Sequence, residues 1–448
     1  MRQLHRFLLL GIALVTFQTS FAQLREIEFE EYDLKNGLHV ILHEDHSTPI
    51  VAVTVMYHVG SKNENPERTG MAHFFEHLLF EGSENIGRGE FSRYVENAGG
   101  VLNANTTNDR TFYFEILPSN ELELGLWLES ERMLHAKVEQ VGIETQREVV
   151  KEEKRQRVDN QPYGTLIQET MSRAYTEHPY RWTVIGSMDH LNAAKEEEFV
   201  DFYKTFYVPE NAVLSIAGDI NMDETKKMIK KYFSNIPRGT KPVPRPNVVE
   251  PSKTQEVRDT IYGKDQLPLV VQAYNIPGQG TEEFYAVDML NRVLSGGESS
   301  RLNRSVVEEK QLALFAGAFS FPLEDPGVTL AFAMANMGVE PGQVEEAMNA
   351  EIERAKNDMI SERELQKLKN QIESEFVNSN ASVAGIAESL ANYHMYFGDA
   401  NLINTEIDRY LAVTAEDIKA AANKYYAPEN RVVLYFMLDE NAGNEMDQ

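Results

Sequence analysis

The chain of 448 residues contains no cysteine. That excludes a disulfide framework, a thiolate metal site and lipid attachment through a cysteine. Any ion bound here must be held by nitrogen and oxygen ligands. Positive charge is also scarce: 43 Lys and Arg stand against 70 Asp and Glu, a net charge of −27. Nucleic acid and anionic membrane surfaces are therefore poor partners. No apolar run is long enough to span a bilayer. The longest candidate, Phe7 to Phe17, follows Arg2 and Arg6 and precedes Thr19, Ser20, Phe21 and Ala22. A basic start, a short apolar stretch and a small-x-Ala end predict a signal peptide over residues 1–22. The mature protein is expected to be exported, to a Gram-negative periplasm or beyond, without membrane insertion.

Proline is sparse except in one place. Five of the 17 fall between Pro237 and Pro251, a composition that favours an extended, semi-rigid linker. The expected division is an N-terminal domain over 23–236, a linker over 237–254, a C-terminal domain over 255–441 and a tail over 442–448. The halves read as copies. In both, an amphipathic pattern ends at Tyr-x-Pro-Glu-Asn (Tyr207 to Asn211, Tyr426 to Asn430) and a β-branched run follows. Near the start of each half a strand leads into a helix: Val51–His58 into the segment around residue 75, and Val270–Tyr274 into Phe284–Leu294. Strands are also expected over Leu38–His43, Thr111–Leu117 and Ala212–Ala217, with helices near 120–135, 144–158 and 195–205. This mixed order predicts an α+β fold, a duplicated pair of α/β sandwiches.

The helix expected after Val51–His58 carries His73, Glu76 and His77 among Met71, Ala72, Phe74, Phe75, Leu78, Leu79 and Phe80. Two imidazoles four residues apart share one helical face, and the carboxylate between them completes an H-x-x-E-H pattern. Such a pair can hold zinc, with Glu76 as general base toward water. A structural histidine pair is the bland alternative, but imidazoles and a carboxylate on so apolar a helix need partners to offset desolvation. Aligning the second half places Asp288, Asn291 and Arg292 opposite His73, Glu76 and His77. The second copy would then have lost the metal-site residues.

A catalytic zinc takes three protein ligands. The segment Ile143 to Val158 reads as a charged helix whose buried face is marked by Val149 and Val150. Glu153 shares that face, Glu148 does not, and Gln146 lies two turns before Glu153 and looks the same way. A solvated charged helix explains this segment alone equally well.

Three blocks in order, Gly70 to Phe80, Gly99 to Thr106 and Arg147 to Glu153, resemble the pitrilysin/insulinase family of zinc peptidases. Within it the chain looks like the half-length, mitochondrial processing peptidase-like branch, over about Glu26 to Leu438. The resemblance implies a LuxS/processing-peptidase-like pair of domains, one zinc ion per chain held by His73, His77 and Glu153, and Glu76 as base. It also implies that Gly99–Thr106 leads into an edge strand to which peptide substrate adds, with Asn103 and Ala104 nearest the scissile bond. Without the resemblance, Gly99-Gly100 reads as an ordinary turn. Two departures stand out. Gln146 replaces a glutamate common in relatives, so it cannot accept a proton, and Val307 and Leu314 stand where active relatives place an Arg and a Tyr for the substrate carbonyl. The expected activity is hydrolysis of short or unfolded peptides inside a two-subunit clamshell. The partner would be a related zinc-less subunit supplying Arg and Tyr, with a homodimer as the alternative. The competing function is a non-catalytic scaffold or binding subunit, as some members of the family are.

Overall fold

The computed structural model describes residues 26–439. The signal peptide and the C-terminal tail expected from sequence lie outside the described residues. Eleven strands form two sheets. The first takes β1 (Glu30–Asp33), β2 (His39–Glu44), β3 (Ile50–Tyr57), β4 (Val101–Thr106), β5 (Thr111–Pro118) and β6 (Ala212–Gly218), in the order β1-β2-β6-β3-β5-β4. The second takes β7 (Val257–Gly263), β8 (Leu269–Asn275), β9 (Ala313–Phe321), β10 (Val328–Ala335) and β11 (Arg431–Leu438), in the order β7-β11-β8-β10-β9.

The two orders match strand for strand once β1 is set aside. β2 and β6 are parallel, as are β7 and β11, and the remaining pairs are antiparallel. β4 and β9 are therefore equivalent edge strands. The duplication expected from the repeated Tyr-x-Pro-Glu-Asn signal is present at the level of topology. Between β6 and β7 the only regular element is a helix over Met222–Phe233, and residues 237–256 carry neither helix nor strand.

The helices of the first half are α1 (Met71–Leu78), α2 (Glu90–Asn97), α3 (Leu122–His135), α4 (Gln140–Lys154), α5 (Leu166–Ala174), α6 (Met188–Ala193), α7 (Glu196–Phe206) and α8 (Met222–Phe233). Those of the second are α9 (Glu282–Ser295), α10 (Pro341–Asn357), α11 (Glu362–Ser379), α12 (Val383–Phe397), α13 (Leu402–Ala412) and α14 (Ala415–Tyr425). One face of each sheet packs on its own helices. The other face is covered by a helix from the opposite half. Ile386, Ala387, Leu390 and Ala391 of α12 pack with Ile41, Ala52, Met56 and Ala217 of the first sheet. Met171 and Ala174 of α5 pack with Val271, Val432 and Leu434 of the second. Neither sheet can bury both apolar faces alone, so the halves are tied by reciprocal exchange rather than by the proline-rich segment between them.

Candidate metal and peptide site

α1 is short, and its position is fixed from both ends. Its Gly70 N-cap has φ +94°, and a Cβ there would sit 2.8 Å from the Ile185 carbonyl oxygen, so only glycine fits this left-handed, close-packed corner. Having no side chain, Gly70 cannot cap. The buried Glu64 carboxyl group caps instead, its oxygens accepting from the amides of Gly70 (2.9 Å) and Ala72 (2.8 Å). At the other end the fully buried Arg132 of α3 donates to the Leu79 carbonyl (3.1 Å) and lies over the rings of Phe80, Phe91 and Tyr113. Phe74 and Phe75 are fully buried against aromatic rings of α7, each contributing about 1.5–3 kcal/mol.

On this anchored helix His73 and His77 stand with ring centroids 4.9 Å apart and planes 77° to one another. Glu153, near the end of α4, brings Oε2 to 3.1 Å from His77 Nε2 and 3.6 Å from His73 Nε2. One ligand atom from each of the three lies within 4.8 Å of the others. Despite that proximity the buried Oε2 forms no hydrogen bond of acceptable direction. Three ligand atoms this close, one of them an unpartnered carboxylate oxygen, form a set that a bound cation would satisfy. Burial and the neighbouring His77 ring push His73 down to about 4, leaving it neutral with a lone pair free at pH 7. The His77 ring holds Glu153 below the usual carboxylate range despite its burial. Glu153 Oε1 is occupied by Arg157 at 2.8 Å, which leaves Oε2 free. Arg157 belongs to a π-helical turn, Arg155–Asp159, that follows α4. Two imidazoles and a carboxylate, with no thiolate, fit zinc.

Glu76 lies on the side of α1 facing β4, where the Thr106 hydroxyl donates to its Oε2 at 2.7 Å. Burial raises its pKa above the ordinary carboxylate value. β4 is the free edge of its sheet. Gly99 closes α2 with φ +79°, and a Cβ on Gly100 would meet Leu117 at 2.5 Å. That glycine pair is thus more than an ordinary turn, because it lets β4 begin hard against α2. Asn103 folds its Oδ1 back to accept from the Ala104 amide at 2.9 Å, so that amide points to the open edge.

Some expectations need correction. Val149, expected on the buried face of α4, is 44% exposed; Val150 marks that face together with Ile143, Arg147 and Lys154. Glu152 is 53% exposed and tied to Arg155, whereas Glu153 is 15% exposed and turns inward. Gln146 donates to Glu81 Oε1 at 2.6 Å, and among the described residues it makes no hydrogen bond to His73, His77 or Glu153. Val307 is packed into the core of the second half and Leu314 is exposed on β9; neither can donate to a carbonyl. Thr106, Glu64, Arg132 and Arg157 were not singled out from sequence. Only Thr106 lay within a motif block.

The second half keeps a ghost of the same arrangement. Asp288 and Arg292 of α9 are the residues that the alignment of the two halves sets opposite His73 and His77. Glu375 is the fourteenth residue of α11 as Glu153 is of α4. The Arg292 guanidinium bridges Asp288 (3.1 Å) and Glu375 (2.6 Å), a fixed cation between carboxylates. Asn291, at the Glu76 position, donates to Ser320 of β9 at 2.6 Å, as Thr106 of β4 meets Glu76.

Residues 39–187 match the model of Insulinase (Peptidase family M16), and residues 194–372 match that of the Peptidase M16 inactive domain. The chain is 32% identical over 426 residues to the zinc protease PqqE of Helicobacter pylori, spanning 93% of this chain and 96% of that one. It belongs to the insulinase family, peptidase family M16. An uncharacterized zinc protease of Mycobacterium leprae is 27% identical, covering 87% and 88% of the two chains. Among solved structures, a protease from Helicobacter pylori superposes with a TM-score of 0.87 at 30% identity, over 92% of this chain and 99% of that one. The periplasmic protease PqqL of Escherichia coli shares the fold, with a TM-score of 0.73 at 19% identity, over 93% of this chain and 48% of that one. The resemblance drawn from the three sequence blocks and the duplicated α+β fold are both borne out. Asp288, Asn291 and Arg292 lie within the segment matched by the inactive-domain model, and Glu375 lies just beyond it.

Proposed function

We propose that this chain is a zinc-dependent endopeptidase acting on short or unfolded peptides, with one catalytic zinc per chain held by His73, His77 and Glu153. The observation that carries the proposal is the convergence of those three side chains beside a partly buried carboxylate, Glu76, at an open sheet edge. A zinc ion supplies Lewis acidity toward water and the scissile carbonyl. Glu76 takes the proton from the attacking water and delivers it to the leaving amine. Its Oε2 is held by Thr106, which leaves Oε1 free for that exchange. His73 and His77 stay neutral and Arg157 orients Glu153. The peptide pairs with β4 through its backbone, an arrangement that demands little of substrate sequence. Asn103 releases the Ala104 amide as a substrate carbonyl replaces its Oδ1.

No Arg or Tyr stands at positions 307 and 314, so transition-state donors come from elsewhere. We infer a heterodimeric clamshell in which a related zinc-less subunit supplies them, a homodimer being the alternative. The missing donors also favour the competing reading of a non-catalytic binding subunit. The test is cleavage of an unfolded peptide by zinc-loaded protein, alone and with its co-purifying partner. Chelator-sensitive cleavage that Glu76→Gln abolishes, without loss of zinc, is expected. Stoichiometric zinc with no cleavage under either condition would leave only the binding role, and a partner that changes nothing would remove the heterodimer.

A further inference from the structure

A second cluster of ligating side chains lies where the two halves meet, away from the site above. Glu31 and Asp33 project from β1 and His39 from β2, on the face that carries Ile41 and packs against α12. His394, from the C-terminal part of α12, completes the group. His39 Nδ1 is 2.8 Å from Asp33 Oδ1, and its Nε2 is 3.1 Å from Glu31 Oε2. His394 Nδ1 is 3.7 Å from the same Glu31 oxygen, beyond hydrogen-bond reach. Among the described residues that nitrogen is buried without a hydrogen-bond partner, although the ring is 26% exposed. A ligand atom from each of Glu31, His39 and His394 falls within 4.8 Å of the other two.

We propose that Glu31, His39 and His394 form a second divalent-metal site that staples the second half's helix α12 to the first half's sheet. The division of labour on His39 supports it. A carboxylate on one ring nitrogen orients the ring and turns the other nitrogen toward an ion; Asp33 stands in that place, and the hydrogen bond that Nε2 makes to Glu31 is the contact the ion would replace. The His394 nitrogen, otherwise orphaned at a buried position, gains a partner. Two imidazoles with one carboxylate select a borderline cation such as zinc, nickel or copper over calcium or magnesium.

The geometry also sets the strength. The two rings stack 3.3 Å apart and 8° from parallel. An ion bound in the plane of both requires His394 to swing out of the stack. This site therefore binds more weakly than the His73–His77–Glu153 set, and chelation empties it first. Glu31 is largely exposed, which gives the ion a route from solvent.

Chelator-stripped full-length protein is titrated with zinc chloride and the bound metal counted after gel filtration. The wild type is expected to hold two equivalents, His394→Gln one, His77→Ala one, and the double variant none. In the His77→Ala background zinc should raise the melting temperature, an effect that adding His394→Gln removes. His394→Gln keeps a flat polar side chain against His39, and a wild-type-like melt without metal reports that it folds. Equal zinc binding by wild type and His394→Gln would overturn the proposal. So would a His77→Ala protein with no bound zinc and no thermal shift. Failure of the catalytic reading looks different, because it would leave the His394-dependent equivalent in place.

Discussion

Replacing Arg132 by Met should cost more stability than any other single substitution near the site. The guanidinium is fully buried with two fully buried carboxylates, Glu129 at 3.0 Å and Glu115 at 3.4 Å. Burial, and then the adjacent Glu129, raise Glu115 well above its ordinary range, so its neutral form is favoured and Arg132 offsets the negative charge that the carboxylate pair carries. Methionine fills similar volume but leaves that charge unpaired. Breaking a buried pair from one side costs about 3–5 kcal/mol. Loss of the stack on Phe80, Phe91 and Tyr113 adds roughly 1 kcal/mol. A domain of this size loses about 2–4 °C per kcal/mol, so a drop of roughly 8–24 °C in melting temperature is expected. Thermal denaturation followed by circular dichroism at pH 7 measures it. The deficit should be smaller at pH 5 than at pH 8, because a carboxylate stripped of its cation is relieved by taking up a proton. Arg132→Met combined with Glu129→Met should recover more than half. A loss under about 1 kcal/mol for the single variant would refute the buried-pair reasoning.

Other outcomes can be stated more briefly. Glu76→Gln should keep its zinc while kcat falls by about 10²–10⁴-fold; the wild-type acid limb should lie above the ordinary carboxylate range, since burial raises Glu76 and activity needs it unprotonated. Glu64 is pushed up to about 8 by burial, against its backbone donors. Its contribution to stability is therefore full below about pH 4.5 and lost as pH rises toward 8. Urea unfolding of Glu64→Gln should accordingly show a flatter pH dependence than the wild type between pH 5 and 8. Asp288→His with Arg292→His, Glu375 already standing at the Glu153 position, should add one equivalent of bound zinc by elemental analysis.

The candidate constellation on α1 was legible because its signal is local. His73, Glu76 and His77 are spaced by one helical turn on an apolar helix, and the fold preserves that spacing. Glu153 needed more, since its helix is mostly solvated and Val149 misleads about which face is inward. The edge strand could be anticipated only through resemblance, because Val101 to Thr106 is short, polar and carries no clear alternation. The supports of α1 were not legible at all. Glu64 acts across a turn from an irregular segment, and Arg132 reads on sequence as one more surface charge on an amphipathic helix. The exchange of α5 and α12 between halves is likewise invisible to periodicity, which reports that a face is apolar but not which sheet it covers.

The most direct measurement is anomalous diffraction at the zinc edge from crystals of protein purified without chelator. A strong peak about 2.0–2.2 Å from Nε2 of His73, Nε2 of His77 and a Glu153 oxygen is the expected result. A zinc-replete crystal with no peak between those three side chains would contradict the account.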